Sequence, residues 1–218
     1  MKVHNLGLNG SILNQFMAEL RDVSIQTDRM RFRRNVERIG EIMAYEISKT
    51  LKCTTIEVQT PLGIQPVSVP CEPIVLATIL RAGLPFHQGF LSYFDKAENA
   101  FISASRKYSA DHSDFTIELG YLSSPSIAGK TLIIIDPMLA TGKSLDVAYR
   151  SLLKRGEPAL IHVACVIASQ HGVDEATRLF PDKITTIWTG AIDPHLNEHA
   201  YIIPGLGDAG DLAYGEKI

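Results

Sequence analysis

The chain contains 218 residues, of which 45% are apolar and 21% are charged. A disordered chain would contain fewer apolar residues and a larger charge imbalance, so a folded protein is expected. The net charge of −3 excludes a general electrostatic attraction to nucleic acid or to anionic membranes. The length suits one large α/β domain or, at most, two small ones.

The cysteines and the apolar runs predict a location for the protein. Cys53, Cys71 and Cys165 are an odd number and lack CxxC spacing, so disulfide frameworks and the usual zinc sites are not expected. The amino-terminal stretch has no signal-peptide core, and the longest apolar runs are much shorter than the roughly 20 residues of a membrane helix. We therefore expect a soluble protein of the reducing cytoplasm, with no membrane partner.

Apolar residues follow helical spacing in the first quarter of the chain and strand spacing after it. Between Phe32 and Leu51 they recur every three or four residues, which predicts a long helix with Asp28 as its cap. The alternating, β-branched stretch 54–59 predicts a strand. The amino-terminal helices are thus expected within about 10–51.

The rest of the chain alternates between buried strands and helices. Continuous apolar runs, typical of strands covered on both faces, occupy 74–80, 131–135, 160–168 and 184–188. Helical patterns at 145–153 and 173–180 separate the last three runs, so the order predicts right-handed crossovers and a parallel sheet. The polar segment of about 103–126 interrupts this order, which indicates either an active-site flap or a hairpin.

The sharpest motif follows the run 131–135. Asp136 comes directly after it, followed by a short loop with Thr141 and Gly142 and by a helix that begins near Ser144. Ligands of open parallel sheets bind at the carboxyl ends of strands, and a helix amino terminus offers free amides to a phosphate. An acid beside such a loop suits a ligand that carries both ribose hydroxyls and a phosphate.

Two other interpretations of this loop remain open. A nucleoside-triphosphate P-loop needs glycine five residues before Gly142, where this chain has Pro137. A plain strand-to-helix turn with an acid at its mouth is the other interpretation.

The stretch DPMLATGKS resembles the phosphoribosyl-diphosphate loop of uracil phosphoribosyltransferases. Asp-Pro is the form typical of these enzymes, whereas the wider type I phosphoribosyltransferases usually carry two adjacent acids. Lys143 stands where the family generally has glycine, although purine enzymes use Thr-Gly-Lys. The resemblance implies that the diphosphate substrate contacts Asp136, Pro137, Met138, Leu139, Ala140, Thr141, Gly142, Lys143 and Ser144.

A second stretch, 196–211, resembles the uracil-binding segment of the same family. It contains PGLGDAGD, in which glycines permit a close approach of the main chain to a flat ligand. The resemblance implies that main-chain groups of Ile202, Gly207 and Ala209 bind uracil, whose edge alternates carbonyl and N–H groups. Asp208, an implied contact of both uracil and the diphosphate substrate, would lie near the reacting end and assist either the deprotonation of uracil or its alignment.

Two arginines complete the expected site. Arg81 ends the run 74–80 in LRAG, which resembles the family segment that meets diphosphate, and a planar guanidinium can bind two oxygens. A surface ion pair is the alternative interpretation of Arg81. Arg106 is the best match to the arginine at the start of the family's flap. With Asp208 it is a candidate catalytic residue, because it would neutralise the departing diphosphate.

The resemblance covers nearly the whole chain and therefore implies one domain, 1–218. That domain is an α/β, Rossmann-like parallel-sheet fold of the phosphoribosyltransferase type with a flap. The implied reaction converts uracil and 5-phosphoribosyl 1-diphosphate to UMP and diphosphate, in pyrimidine salvage. It implies Mg²⁺ bound mainly through the substrate diphosphate, with no metal-binding protein cluster, and a homodimer or larger homo-oligomer.

An alternative function is a degenerate member of this fold that regulates by binding RNA. The altered flap motivates it, and its only candidate basic surface is the run Arg29, Arg31, Arg33 and Arg34. A solvated helix face is the simpler interpretation of that run.

Overall fold

A mostly parallel sheet lies at the centre of the protein. The structure, a computed structural model, describes residues 1–108 and 115–217, and for 105–108, 115 and 116 it describes the backbone only. Within these residues the strands are β1 (Lys2–Asn5), β2 (Cys53–Thr60), β3 (Gly63–Pro70), β4 (Ile74–Leu80), β5 (Glu98–Tyr108), β6 (Phe115–Ser123), β7 (Thr131–Ile135), β8 (Met138–Leu139), β9 (Leu160–Ser169), β10 (Thr185–Asp193), β11 (His195–Leu196) and β12 (Ile202–Ile203). The helices are α1 (Ile12–Arg21), α2 (Arg29–Ser48), α3 (Gly83–Leu91), α4 (Lys143–Leu153), α5 (Gln170–Leu179) and α6 (Ala209–Tyr214).

The strand order of this sheet is β1-β10-β9-β7-β4-β5-β6, and β8 pairs with β9 beside that path. The pairs are parallel except β5 with β6. From β4 the chain first adds β5 on one side and later β7, β9 and β10 on the other. The order thus reverses between β4 and β7, and in open α/β sheets ligands bind at such a reversal. At the same edge of the sheet, Asp193 of β10 pairs in register with Ser169 of β9.

Helices cover both faces of the sheet, which explains the continuous apolar runs. In β7 all residues are buried: Ile133 and Ile135 pack towards α1, α2 and α3, whereas Leu132 and Ile134 pack towards α4 and α5. Strands covered on both faces carry apolar residues at every position rather than at every second one. The expected α/β class with a parallel sheet is therefore confirmed.

Several predicted elements match the structure closely. The strands predicted at 74–80 and 131–135 have those bounds. Asp28 caps α2 as expected, because its carboxylate accepts hydrogen bonds from the amides of Met30 and Arg31 at 3.1 and 3.0 Å. The helix ends at Ser48, earlier than predicted, and Leu51 is buried beyond its end.

The segment at about 103–126 is part of a hairpin. Its first part continues β5, which begins at Glu98 inside the sheet, and its second part is β6, paired antiparallel with β5. Residues 109–114 between the two strands lie outside the described part of the chain.

Two elements were not predicted because proline and glycine obscured them. Pro66 and Pro70 lie in β3, which pairs antiparallel with β2 as a separate two-stranded ladder whose residues are almost all exposed. Helix α3 contains Pro85, but this residue lies in the first turn, where a missing N–H breaks no hydrogen bond. Among the described residues, no helix is both long enough and apolar enough to cross a membrane.

Candidate active site

A cleft of about 530 Å³ opens where the strand order reverses. It lies at the carboxyl ends of β4 and β7, and its other walls come from β5 and the last part of the chain. The candidate site residues that it brings together are Arg81, Asp136, Pro137, Met138, Ala140, Ser144, Gly207, Asp208 and Ala209. Segments far apart in sequence thus meet in one place.

The 136–142 loop is held to the sheet by its main chain. The carbonyl of Pro137 accepts hydrogen bonds from the amides of both Val166 and Ile167 at 3.0 Å. Met138 and Leu139 then pair with β9 as the short strand β8. Gly142, with φ of 76°, takes the left-handed conformation that begins α4. The first amides of α4 have no partner inside the helix, so this end of the loop suits an anion.

A second support of this loop comes from α5. The Ser169 hydroxyl donates to the carbonyl of Ala140 at 2.6 Å and accepts from the amide of Gly172 at 2.8 Å. A Cβ atom on Gly172 would lie 2.4 Å from the carbonyl oxygen of Leu139. Helix α5 therefore packs against the loop so closely that only glycine fits at position 172.

Asp136 lies half-buried in the cleft, directly after β7. Burial raises the pKa of its carboxyl to about 6, although the hydrogen bond from the amide of Met138 opposes this rise. The carboxylate is charged above that pH, and hydroxyl groups of a bound ligand can supply the hydrogen bonds that water no longer provides.

Arg81 already has partners inside the protein. Its Nη2 donates to Oδ1 of Asp211 at 2.6 Å, and its Nη1 donates to the carbonyl of Gly215 at 3.1 Å. The guanidinium still lines the cleft. The peptide bond between Leu80 and Arg81 is cis.

The Asp208 carboxylate is bound by neighbouring groups of the protein on both of its oxygens. Its Oδ1 accepts hydrogen bonds from the amides of Gly210 and Asp211, at 2.8 and 3.0 Å, and so caps α6. Its Oδ2 lies 3.1 Å from Nζ of Lys217. Burial alone raises the pKa of Asp208, but these hydrogen bonds and the lysine charge lower it below its usual value overall. A carboxylate with a lowered pKa is a weak base, so alignment is the better supported of its two expected roles.

The 204–208 loop joins β12 to α6 by a tight path. The peptide bond between Ile203 and Pro204 is cis, and Gly205 and Gly207 have φ values of 63° and 91°. Gly207 lines the cleft together with Asp208 and Ala209.

Some candidate residues lie away from the described wall of the cleft. Ile202 is 4% exposed and belongs to the core, and Leu139 is 2% exposed. Thr141, Gly142 and the exposed Lys143 lie at the turn into α4 rather than in the wall. The backbone of Arg106 pairs with Ile117 in the hairpin, but the side chain of Arg106 lies outside the described part of the chain.

The sequence did not predict several other residues of the cleft. Ser103 and Ala104 come from β5, and Ala200, Tyr201 and Lys217 come from the last part of the chain. Tyr201 could have been found from its place beside the expected Ile202, whereas Lys217 has no motif around it.

Two arginines of the α2 run are paired with acids of the protein itself, and a third binds a main-chain carbonyl. Arg31 lies 3.3 Å from Glu19, and Arg34 lies 2.8 Å from Glu37. Arg33 donates to the carbonyl of Ala213 at 2.6 Å. The two ion pairs reduce the positive charge that this face offers to a nucleic acid.

A second, more open depression of about 550 Å³ lies between α2, α3 and β5. It contains no candidate site residue. His87 is part of its lining and is 4% exposed, and burial lowers the pKa of its ring. The candidate site residues that line a cavity therefore lie in the 530 Å³ cleft.

Comparisons with known proteins agree with this geometry. A family model described as uracil phosphoribosyltransferase matches residues 8–216. The chain is 60% identical to a uracil phosphoribosyltransferase of Porphyromonas gingivalis over 218 residues, all of both chains. It is 37% identical to one of Sulfolobus acidocaldarius, over 95% of this chain and 98% of the relative.

Solved structures show the same fold. The AQ2163 protein from Aquifex aeolicus is 31% identical and superposes with a TM-score of 0.85 over 98% of each chain. A hypoxanthine phosphoribosyltransferase from Staphylococcus aureus, at 15% identity, has a TM-score of 0.51 and covers 86% of this chain and 83% of its own. At that identity the likeness concerns the fold alone.

Proposed function

The chain belongs to the uracil phosphoribosyltransferase family, and from this premise we propose which part of its cleft binds each of the two substrates. The protein transfers the phosphoribosyl group of 5-phosphoribosyl 1-diphosphate to uracil, which gives UMP and diphosphate. One observation carries the assignment of the site: Arg81, Asp136 and the 204–208 loop converge in one cleft where the strand order reverses.

The phosphoribosyl group binds along the 136–142 loop. The amides at the start of α4, together with the hydroxyls of Thr141 and Ser144, receive the 5′-phosphate. Asp136 accepts hydrogen bonds from the ribose hydroxyls. The raised pKa of Asp136 supports this role, because a buried carboxylate gains most from a ligand that restores its hydrogen bonds.

The diphosphate binds Arg81 and, from the hairpin, Arg106. Arg81 exchanges its internal partner Asp211 for the diphosphate oxygens, which accept two parallel hydrogen bonds from a guanidinium. The bond between C1 of the ribose and the diphosphate oxygen breaks as positive charge develops on the ring, and N1 of uracil forms the new bond to C1. The proton that N1 loses leaves to the departing diphosphate or to water. The two arginines then stabilise the negative charge on the departing diphosphate. Holding both substrates in place lowers the activation barrier further.

Uracil binds to main-chain groups of the 204–208 loop and of Ala209, and the main chain of Ile202 is a further candidate. Asp208 aligns this segment by capping α6, rather than acting as a base, since its pKa is lowered. A pocket made of main chain admits a pyrimidine and has little room for a purine.

The donor groups of the cleft fit Mg²⁺ that arrives on the diphosphate. Among residues 1–108 and 115–217, no group of three or more His, Cys, Asp or Glu side chains is arranged to hold a metal ion. Asp136 and Asp208 nevertheless offer carboxylate oxygens, which Mg²⁺ accepts alongside phosphate oxygens. When bound, Mg²⁺ neutralises part of the diphosphate charge.

We also propose a homodimer or larger homo-oligomer and a cytoplasmic location. The β2–β3 ladder exposes Ile56, Val58 and Ile64, and a lone two-stranded ladder is marginally stable in water. A second copy of the chain would cover these side chains, and light scattering on Ile64→Lys would show a smaller assembly. The three cysteines are unpaired, which suits a reducing compartment.

The direct test mixes the protein with radiolabelled uracil, 5-phosphoribosyl 1-diphosphate and Mg²⁺. UMP should form with uracil and not with hypoxanthine, adenine or orotate as the base. Absence of UMP from the folded protein would overturn the assignment.

A further inference from the structure

An ion pair that the sequence did not single out lies directly behind the 204–208 loop. Arg21, the last residue of α1, binds Asp193, the last residue of β10, through two hydrogen bonds of 2.7 and 2.8 Å. Oδ2 of Asp193 also accepts from the amide of Gly205 at 2.7 Å, and Nη1 of Arg21 donates to the carbonyl of Gly205 at 3.0 Å. Both main-chain groups of Gly205 are therefore bound by this one pair.

The pair is largely removed from water. Asp193 is 5% exposed, and 27% of the Arg21 side chain is exposed. Burial alone would raise the pKa of Asp193, but the hydrogen bonds from Arg21 and the Gly205 amide lower it below its usual value overall. The carboxylate thus stays charged, and both of its oxygens accept hydrogen bonds. A buried ion pair with this arrangement holds the groups bound to it in a single geometry.

Gly205 has a conformation and surroundings that only glycine fits. Its φ is 63°, and a Cβ atom there would lie 2.0 Å from the carbonyl oxygen of Ile202. The chain turns sharply at this point, two residues before Gly207. A shift of Gly205 would be passed to Gly207 and to the residues that follow, since only one residue separates the two glycines.

We propose that Arg21 and Asp193 are positioning residues for uracil: by fixing the main chain of Gly205, they hold Gly207–Ala209 where its main-chain groups bind the pyrimidine. This inference rests on the proposed function, in which those groups read the base. A main-chain site cannot correct an error by a change of rotamer, so the support of the loop determines the accuracy of recognition. Neither residue touches the substrate.

The test compares steady-state constants of Asp193→Asn and Arg21→Lys with those of a matched control. Asp193→Asn keeps the size of the side chain but loses the charge, and the KM for uracil should rise about tenfold or more. The KM for 5-phosphoribosyl 1-diphosphate should stay within about twofold. Arg21→Lys keeps the charge but not the bidentate contact. Its KM for uracil should therefore lie between those of the parent protein and Asp193→Asn.

Glu19→Gln is the control, because Glu19 lies on the same helix but faces α2. Its Oε2 accepts from Asn35 at 2.7 Å and from Arg31 at 3.3 Å. The Glu19→Gln variant should have a lower melting temperature than the parent protein and the same KM for uracil. An equal rise of both KM values in Asp193→Asn, or an unchanged KM for uracil in that variant, would overturn the inference.

Amide hydrogen exchange gives a readout that does not depend on turnover. In Asp193→Asn the amide of Gly205 should exchange faster than in the parent protein, while the amides of α4 keep their rates. If the parent protein makes no UMP, the proposed function fails. If it makes UMP and the variants keep both the KM for uracil and the Gly205 exchange rate, the positioning role alone fails.

Discussion

The two loops of the cleft are held in place by different physical means. The 136–142 loop is fixed by neutral contacts: main-chain hydrogen bonds to β9, the hydroxyl of Ser169 and the close approach of Gly172. The 204–208 loop is fixed by the charged pair Arg21–Asp193, whose members are 172 positions apart in the chain. The first support comes from neighbouring elements, whereas the second needs the whole fold to be complete.

This difference predicts how strongly salt and pH affect each of the two loops. Neutral main-chain contacts respond weakly to salt and pH, whereas a charge pair depends on the protonation of its acid. Changes to the first loop should therefore affect the diphosphate substrate through packing. Changes to the second should affect uracil through charge.

The largest effect is expected from Gly172→Ala, which attacks the neutral support. The added methyl would lie 2.4 Å from the carbonyl oxygen of Leu139 and 2.7 Å from that of Ala140, so the main chain must move. We expect about 1–3 kcal/mol of destabilisation in urea unfolding. The kcat/KM for 5-phosphoribosyl 1-diphosphate should fall about 100-fold.

Gly10→Ala is its control, since no heavy atom lies within 4 Å of a Cβ placed there. A Gly172→Ala protein with unchanged kinetics would show that the loop tolerates displacement, and would remove the contrast between the two supports.

Asp136→Asn should separate stability from activity. The folded-state pKa of about 6 exceeds the ordinary 3.8, so between these pH values the folded chain keeps a proton that the unfolded chain has lost. The free energy of unfolding therefore falls as pH rises through this window, and stays lower above it. Asp136→Asn carries no ionisable group at this position, so its free energy of unfolding does not fall in this way. The variant should therefore be more stable than the parent protein at pH 8, by up to about 3 kcal/mol.

The same variant should lose about 10- to 100-fold in kcat/KM, because a neutral amide replaces the charged acceptor of the ribose hydroxyls. Asp174→Asn, which changes an exposed acid, should alter neither quantity. Equal stabilities of Asp136→Asn and the parent at pH 5 and pH 8 would refute the pKa argument.

Ser169→Ala is the counterpart of Asp193→Asn. It removes a donor to Ala140 and an acceptor for Gly172, and it leaves buried main-chain groups without partners. The KM for 5-phosphoribosyl 1-diphosphate should rise about fivefold to tenfold, with little change for uracil. Ser48→Ala, which removes an exposed hydroxyl, is the control. A rise in the KM for uracil instead would mean that the two supports are not separate.

Lys143→Ala should have the smallest effect. Lys143 is exposed and lies outside the described wall of the cleft, although it replaces the glycine usual in the family. We expect the KM for 5-phosphoribosyl 1-diphosphate to change by no more than about twofold. A tenfold rise would instead place this lysine at the 5′-phosphate.

The sequence predicted the parts of the fold and of the site that depend on local patterns. The strands at 74–80 and 131–135 were predicted with their correct bounds, because burial on both faces leaves an unbroken apolar run. The placement of Arg81 and Asp136 at one cleft followed from their positions at the ends of those strands.

Long-range contacts left no such pattern. Arg21 ends an amphipathic helix, and its place in the sequence is typical of an ordinary surface cation. No motif around Asp193 predicts its pairing with Arg21. The strand β3 was missed because two of its residues are prolines, which an exposed ladder tolerates but a central strand does not. Local spacing cannot predict which distant side chains a completed fold brings together.

The register between β9 and β10 also sets the spacing between the supports of the two loops. Ser169 and Asp193 are paired residues on neighbouring strands, so their main chains are about 4.8 Å apart. The points from which the two loops are supported are thus separated by one strand spacing, a distance determined by peptide hydrogen bonds. Substitutions of core side chains that keep this register should therefore leave the spacing between the two supports unchanged.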